Sequence, residues 1–132
     1  MKLKVAFVCV HNSCRSQMAE GWAKNLGADV MEIYSAGTQR YTKVKPKAVQ
    51  VMAEAGIDIS MQYPKLMNDI PNELDYLIKM GCAVECPYVP AKHIEDWGLE
   101  DPSGGSIKDF QNTRDKIQQK VKALIARIEK ST

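Results

Sequence analysis

Long apolar runs are scarce in this chain. The stretch 5–10 (V-A-F-V-C-V) is soon closed by His11, Asn12 and Arg15. It is too short for the apolar core of a secretion signal, and no stretch is long enough to cross a membrane as a helix. A surplus of one charge is also missing. The 18 Lys and Arg are interspersed with 16 Asp and Glu, for a formal net charge of +2. That excludes the basic stripe of a nucleic-acid binder and reads as an ordinary solvated surface. Histidine is nearly absent, with His11 and His93 alone, so a zinc centre would lack nitrogen ligands. There is no repeat, linker or low-complexity segment. Hydrophobic residues make up 45% of 132 positions, enough for one core, so a single domain over 1–132 in the cytosol is expected.

Four cysteines remain to be explained: Cys9, Cys14, Cys82 and Cys86. Cytosolic thiols are reduced at rest, so a structural disulfide framework is not expected. Two tight clusters far apart in sequence suggest a metal site or redox chemistry instead.

The pattern of apolar residues alternates between short strands and helices. Residues 2–9 (K-L-K-V-A-F-V-C) read as a buried strand. Met18, Ala19, Trp22, Ala23 and Leu26 recur at helical spacing, and Gly27 stops that helix. Residues 30–34 read as a second strand, with Ser35-Ala36-Gly37 turning out of it. Pro46 suits the first position of a second helix, with Ala48, Val49 and Met52 as its inner stripe and Gly56 at its end. Residues 74–80 form a third strand, broken at Gly81-Cys82, and 91–94 a short fourth. Asp101-Pro102-Ser103-Gly104-Gly105 is a loop. Ile107, Phe110, Ile117, Val121, Leu124, Ile125 and Ile128 share one face of a long last helix. Alternation of this kind predicts an α/β fold with a parallel sheet covered on both faces. In such sheets ligands sit at the C-terminal ends of the strands, where Cys9, Cys82 and Asp101 are placed.

The loop Cys9-Val10-His11-Asn12-Ser13-Cys14-Arg15 joins the first strand to the first helix. A turn there can aim several backbone N–H groups at one point, and the helix N-terminus adds positive potential. Arg15 offers a planar fork of donors to a tetrahedral oxyanion. The same field favours the thiolate of Cys9, and Ser16 can hydrogen-bond to it. On its own, Cys9 also reads as a small core residue ending a strand. Cys14, at the start of the helix, is expected to pack, and His11 to fill the loop rather than act as a base.

These residues resemble a known family. C-x5-R after the first strand, continued as far as Trp22 (C-V-H-N-S-C-R-S-Q-M-A-E-G-W), is similar to the phosphate loop of the low-molecular-weight protein tyrosine phosphatases. More narrowly, it is similar to the arsenate reductases built on that fold. Ser35-Ala36-Gly37-Thr38 and Trp97-Gly98-Leu99-Glu100-Asp101-Pro102 match further segments, in order, over nearly the whole chain. The resemblance implies a single three-layer domain with a four-stranded parallel sheet flanked by helices. It implies Cys9 as nucleophile, Arg15 as oxyanion binder and Asp101 as general acid, with Val10, His11, Asn12, Ser13, Cys14 and Ser16 completing the substrate loop. A carboxyl on a loop can protonate a departing oxygen, although Asp-Pro by itself is only a turn starter.

The second thiol pair separates the two branches of that family. Ester hydrolysis has no use for Cys82 and Cys86, whereas reducing arsenate takes two electrons, which one new disulfide supplies. The expected relay runs from Cys9 to Cys82 to Cys86, and the resemblance implies thioredoxin as the reductant, or glutaredoxin if Cys86 is dispensable. Ser103-Gly104-Gly105 after Asp101-Pro102 supplies no aromatic wall for a phosphotyrosine ring. The alternative is a phosphatase for tyrosine phosphate or small phosphate esters. No cofactor and no metal are assigned, and a monomer is expected. Some arsenate reductases of this type hold a potassium ion with an Asn, a Glu, a Ser and an Asp. Asn12, Glu20 and Ser35 match three of these, but the fourth position is Lys65, whose ammonium would replace the ion and pair with Glu20. The Cys82–Cys86 spacing is shorter than in some relatives.

Overall fold

The computed structural model describes residues 2–81 and 90–130, so Cys82 and Cys86 lie outside the described residues. In chain order the elements are β1 (Leu3–Cys9), α1 (Arg15–Gly27), β2 (Met31–Gly37), α2 (Pro46–Glu54), a 3-10 turn (Met67–Asp69), β3 (Leu74–Lys79), β4 (Ala91–Asp96) and α3 (Ile107–Lys130). The strands form one sheet in the order β2-β1-β3-β4, with every pairing parallel. β1 therefore lies between two neighbours, which explains its run of fully buried residues from Val5 to Val8.

Successive β1 side chains point to opposite faces. Val5, Phe7 and Cys9 join the larger core with Met18 and Trp22 of α1, Val51 and Met52 of α2, and Ile117, Val121 and Leu124 of α3. Ala6 and Val8 join a smaller cluster with Ile70, Leu74 and Leu77. Both faces are thus covered, the second by the segment around the 3-10 turn. Phe110, Ile117, Val121, Leu124 and Ile128 of α3 are each buried to within 2%. At about 25 cal/mol per Å2 of apolar surface removed from water, burying each such side chain contributes roughly 1.5–3 kcal/mol.

The strand and helix expectations hold in number and order, but some bounds differ. Ser35-Ala36-Gly37 does not turn out of β2 but extends it, pairing with Phe7, Val8 and Cys9. Gly37 makes this possible: a Cβ there would stand 2.7 Å from Val10 O and 2.8 Å from Asn12 N. The strand can run against the loop after Cys9 only because that side chain is missing. β4 is also two residues longer than expected, reaching Asp96. Among the described residues, no helix is long and apolar enough to cross a membrane.

Candidate active site

β1 delivers Cys9 to the C-terminal edge of the sheet, and α1 starts at Arg15. Residues 10–14 close the gap in a tight turn. Asn12 takes φ 53° there, the left-handed conformation that an Asn tolerates better than most residues.

The orientation of this turn follows from its carbonyl groups. Cys9 O and Val10 O accept from Thr38 N at 3.3 and 2.8 Å, and Val10 O accepts from Gln39 N at 2.9 Å. Asn12 O accepts from Gln17 Nε2 at 2.9 Å. Ser13 O accepts from Lys45 N at 2.7 Å, and Cys14 O from Met18 N at 2.9 Å. In a trans peptide the next N–H points opposite to the C=O. With the carbonyls engaged by surrounding structure, the following amides face the pocket. α1 has no side-chain cap, so its first N–H groups stay open to an anion.

The pocket is lined by Cys9, Val10, His11, Ser13, Cys14, Arg15, Asp101 and Ser103. It has about 10 Å3 of water-accessible space, room for one small group. Arg15 is 5% exposed. Its Nη1 donates to Met80 O at 3.0 Å and Leu99 O at 2.9 Å, carbonyls just beyond β3 and β4. Its Nη2 lies 3.8 Å from Asp101 Oδ2. The guanidinium is thus clamped along one edge. Asp101 is half-exposed and accepts from Ser103 N through Oδ1 at 3.0 Å, a turn that holds the carboxyl at the pocket mouth.

Cys9 is buried at 3% exposure, with Sγ 2.9 Å from Ser16 Oγ. Asn12 Nδ2 donates to the same hydroxyl at 2.7 Å. The hydroxyl accepts that bond and still has its own proton to offer Cys9 Sγ. Cys14 is different. Burial, helped by the negative charges of Asp101 and Cys9 and opposed by Arg15 and Lys45, holds its thiol well above the ordinary value. It packs and does not compete. His11 stacks on Tyr41 with ring centroids 4.9 Å apart, the loop-filling role expected of it.

Beneath the loop lies Glu20, 4% exposed. Lys24 Nζ donates to its Oε2 at 2.6 Å, Ser35 Oγ donates to Oε1, and Lys65 Nζ stands 3.4 Å from Oε1. Burial raises the carboxyl's pKa, but the Lys24 and Ser35 hydrogen bonds and the Lys65 charge outweigh it, so the net shift is downward. The Lys65–Glu20 pair read from the sequence is therefore present, with Lys24 as a second partner that sequence reasoning missed. It also missed the Met80 and Leu99 carbonyls that clamp Arg15. Backbone atoms carry no residue signature, although Gly81 and Gly98 beside them were a signal.

Comparison with known proteins agrees with this geometry. The family model described as low molecular weight phosphotyrosine protein phosphatase matches residues 4–132. A glutaredoxin arsenate reductase of Synechocystis sp. is 44% identical over 129 residues, covering 95% of this chain and 98% of that protein. A solved arsenate reductase in its phosphate-binding state superposes with a TM-score of 0.88 at 44% identity, over 97% of this chain and 99% of that one. A thioredoxin-dependent arsenate reductase of Corynebacterium glutamicum has a TM-score of 0.81 at 31% identity, over 99% of this chain and 64% of that one. A thiol and an arginine set in a turn of inward-facing amides, on a sheet of this order, thus come with a match over nearly the full length, and the chain belongs to the low molecular weight phosphotyrosine protein phosphatase family.

Proposed function

We propose that this chain is an arsenate reductase that converts arsenate to arsenite and keeps the oxidising equivalent as a disulfide. One observation carries the reading. A thiol sits in a pocket built for a tetrahedral oxyanion, in a chain whose second thiol pair, Cys82 and Cys86, ester hydrolysis would not need. The amides of the loop 10–16 and the Nη2 side of Arg15, beside Asp101, hold the anion. The Cys9 thiolate, supported by Ser16, attacks arsenic, and Asp101 protonates the departing hydroxide, which leaves as water. Cys82 then attacks Cys9. The sulfur–arsenic bonding electrons stay on arsenic, arsenite departs, and a Cys9–Cys82 disulfide remains. Cys86 attacks Cys82, freeing Cys9 and leaving a Cys82–Cys86 disulfide for a dithiol protein to reduce.

Thioredoxin is the proposed reductant and the cytosol the proposed compartment, with the chain acting as a monomer. The name of the Synechocystis relative keeps glutaredoxin as the rival reductant. The Lys65 ammonium is proposed to occupy the role of potassium beside Glu20. Arsenate turnover should be assayed with a thioredoxin system and with a glutaredoxin–glutathione system. Cys9→Ser and Cys82→Ser should stop both, and Cys86→Ser should stop the first. Cys82→Ser should retain whatever aryl phosphate hydrolysis the wild type has. Wild-type arsenate turnover by Cys82→Ser would refute the relay and return the chain to ester hydrolysis.

A further inference from the structure

Gln17 takes no part in the chemistry above, yet it is fully buried in the first turn of α1. A buried amide is costly unless its donors and acceptors are matched, so its partners show what holds it there. Gln17 Nε2 donates to Asn12 O, Asn12 Oδ1 and Tyr63 O, each at 2.9 Å. Gln17 Oε1 accepts from Gln62 Nε2 at 2.7 Å. Asn12 O and Tyr63 O are backbone carbonyls and can only accept, which fixes the nitrogen of the Gln17 amide on the Asn12 side. Asn12 Oδ1 also accepts from Lys65 N at 2.8 Å, an atom that can only donate. That fixes Asn12 with Nδ2 toward Ser16 Oγ and leaves the Ser16 proton unspent; a Cys9 thiolate 2.9 Å away can only accept it.

The links Gln17–Asn12 and Asn12–Ser16 therefore each have one allowed direction, anchored at backbone atoms, and the link to Cys9 follows the same direction once that thiol is ionised. Asn12 is also the one described non-glycine residue with positive φ, a conformation that needs holding. Gln17 grips it at both its main-chain and side-chain carbonyls.

We propose that Gln17 is a positioning residue for the nucleophile: by locking the left-handed Asn12 and polarising its amide, it orients the Ser16 hydroxyl toward the Cys9 thiolate. This rests on Cys9 being the nucleophile. The bland alternative is that Gln17 only latches the segment 60–65 to α1. That latch runs through Tyr63 O and through Gln62 Nε2, which also donates to Gln17 O at 3.0 Å. Gln62→Ala breaks the Gln62 contacts and leaves those to Asn12 in place.

The test follows iodoacetamide labelling of the Cys9 peptide by mass spectrometry across an acid-to-alkaline pH series, for wild type, Gln17→Met and Gln62→Ala. In Gln17→Met the labelling midpoint should rise by about one pH unit, a roughly tenfold loss of thiolate below the wild-type midpoint, and kcat/KM for arsenate should fall about tenfold. Gln62→Ala should keep the wild-type midpoint even if it melts earlier. Equal midpoints in wild type and Gln17→Met, or equal shifts in both variants, would overturn the proposal. Wild-type Cys9 labelling like a free cysteine would instead overturn the nucleophile assignment beneath it. Should Gln17→Met not fold, the side-chain amide NMR signals of wild-type Asn12 and Gln17 decide: both should titrate with the Cys9 midpoint, and flat signals would sink the idea.

Discussion

Gly81 lies two residues past the end of β3 with φ +95°, and the space beside it is full. A Cβ at this position would meet Leu99 O at 2.4 Å and Leu99 N at 2.5 Å, both backbone atoms. Gly81→Ala therefore has two costs. A left-handed conformation destabilises an L-residue by about 1–2 kcal/mol, and forcing the Leu99 segment aside adds about 1–3 kcal/mol. A total of roughly 2–5 kcal/mol is a large share of the usual 5–15 kcal/mol of a domain, but leaves part of the population folded. The displaced atom matters as much as the sum, because Leu99 O accepts from Arg15 Nη1. Losing that charge-assisted bond, worth about 1.5–3 kcal/mol, should weaken inorganic phosphate binding about 10- to 150-fold. Gly56→Ala is the control: Gly56 also has positive φ, +85°, but nothing lies within 4 Å of its would-be Cβ. It should lose about 1 kcal/mol and bind phosphate normally. Urea unfolding gives the stabilities, and calorimetric titration with phosphate gives the affinities. Equal stability losses in the two variants, or normal phosphate binding by Gly81→Ala, would refute the clamp argument.

The carboxyl beneath the loop supplies three further expectations. Lys65→Met leaves Glu20 with Lys24 and Ser35, so about 1–2 kcal/mol should be lost, less than for an unpartnered buried charge. Wild-type melting and turnover should be the same in potassium and sodium chloride, and a wild-type rate that rises with potassium would refute the built-in ammonium. Glu20 titrates below its ordinary 4.5, so the folded state holds the ionised form more tightly than the unfolded chain does. That stabilisation is whole above pH 4.5 and is lost as the pH falls through the folded-state value. Glu20→Gln should therefore flatten the acid limb of the stability curve, and an unchanged limb would show that other carboxyls set it.

What the sequence made legible was what periodicity and punctuation encode. Val5 to Val8 announced a central strand because a strand buried on both faces has no polar alternation to show. The α3 stripe announced itself because it faces one core. The extension of β2 through Gly37 was missed because Ser-Ala-Gly has the composition of a turn. The strand continues there because a glycine is what the neighbouring loop tolerates, a fact of tertiary contact rather than propensity. The site divides in the same way. Cys9, Arg15, Ser16 and Asp101 were legible as residue types with known chemistry. Gln17 was not, since a glutamine early in a helix looks like ordinary surface until Tyr63 and Gln62 fold over it.

The anion pocket by itself is neutral between the two chemistries of the family. Inward-facing amides, a clamped arginine and a hydroxyl-supported thiol stabilise an attacked tetrahedral centre whether it is phosphorus or arsenic. The difference arises after the first bond forms. A phosphate ester intermediate on Cys9 can only wait for water, whereas an arsenic(V) intermediate can be resolved by a second thiol, because arsenic accepts the bonding pair and leaves as arsenite. The step that defines the reductase therefore depends on a thiol reaching Cys9 Sγ faster than water does. Gly81 lies directly before Cys82, and its backbone is pressed against Leu99, which also holds Arg15. Arg15 and the residue that precedes the proposed relay cysteine thus share one contact. A substitution that loosens this contact should slow arsenite release along with anion binding, while one confined to Ser16 should slow the first attack alone.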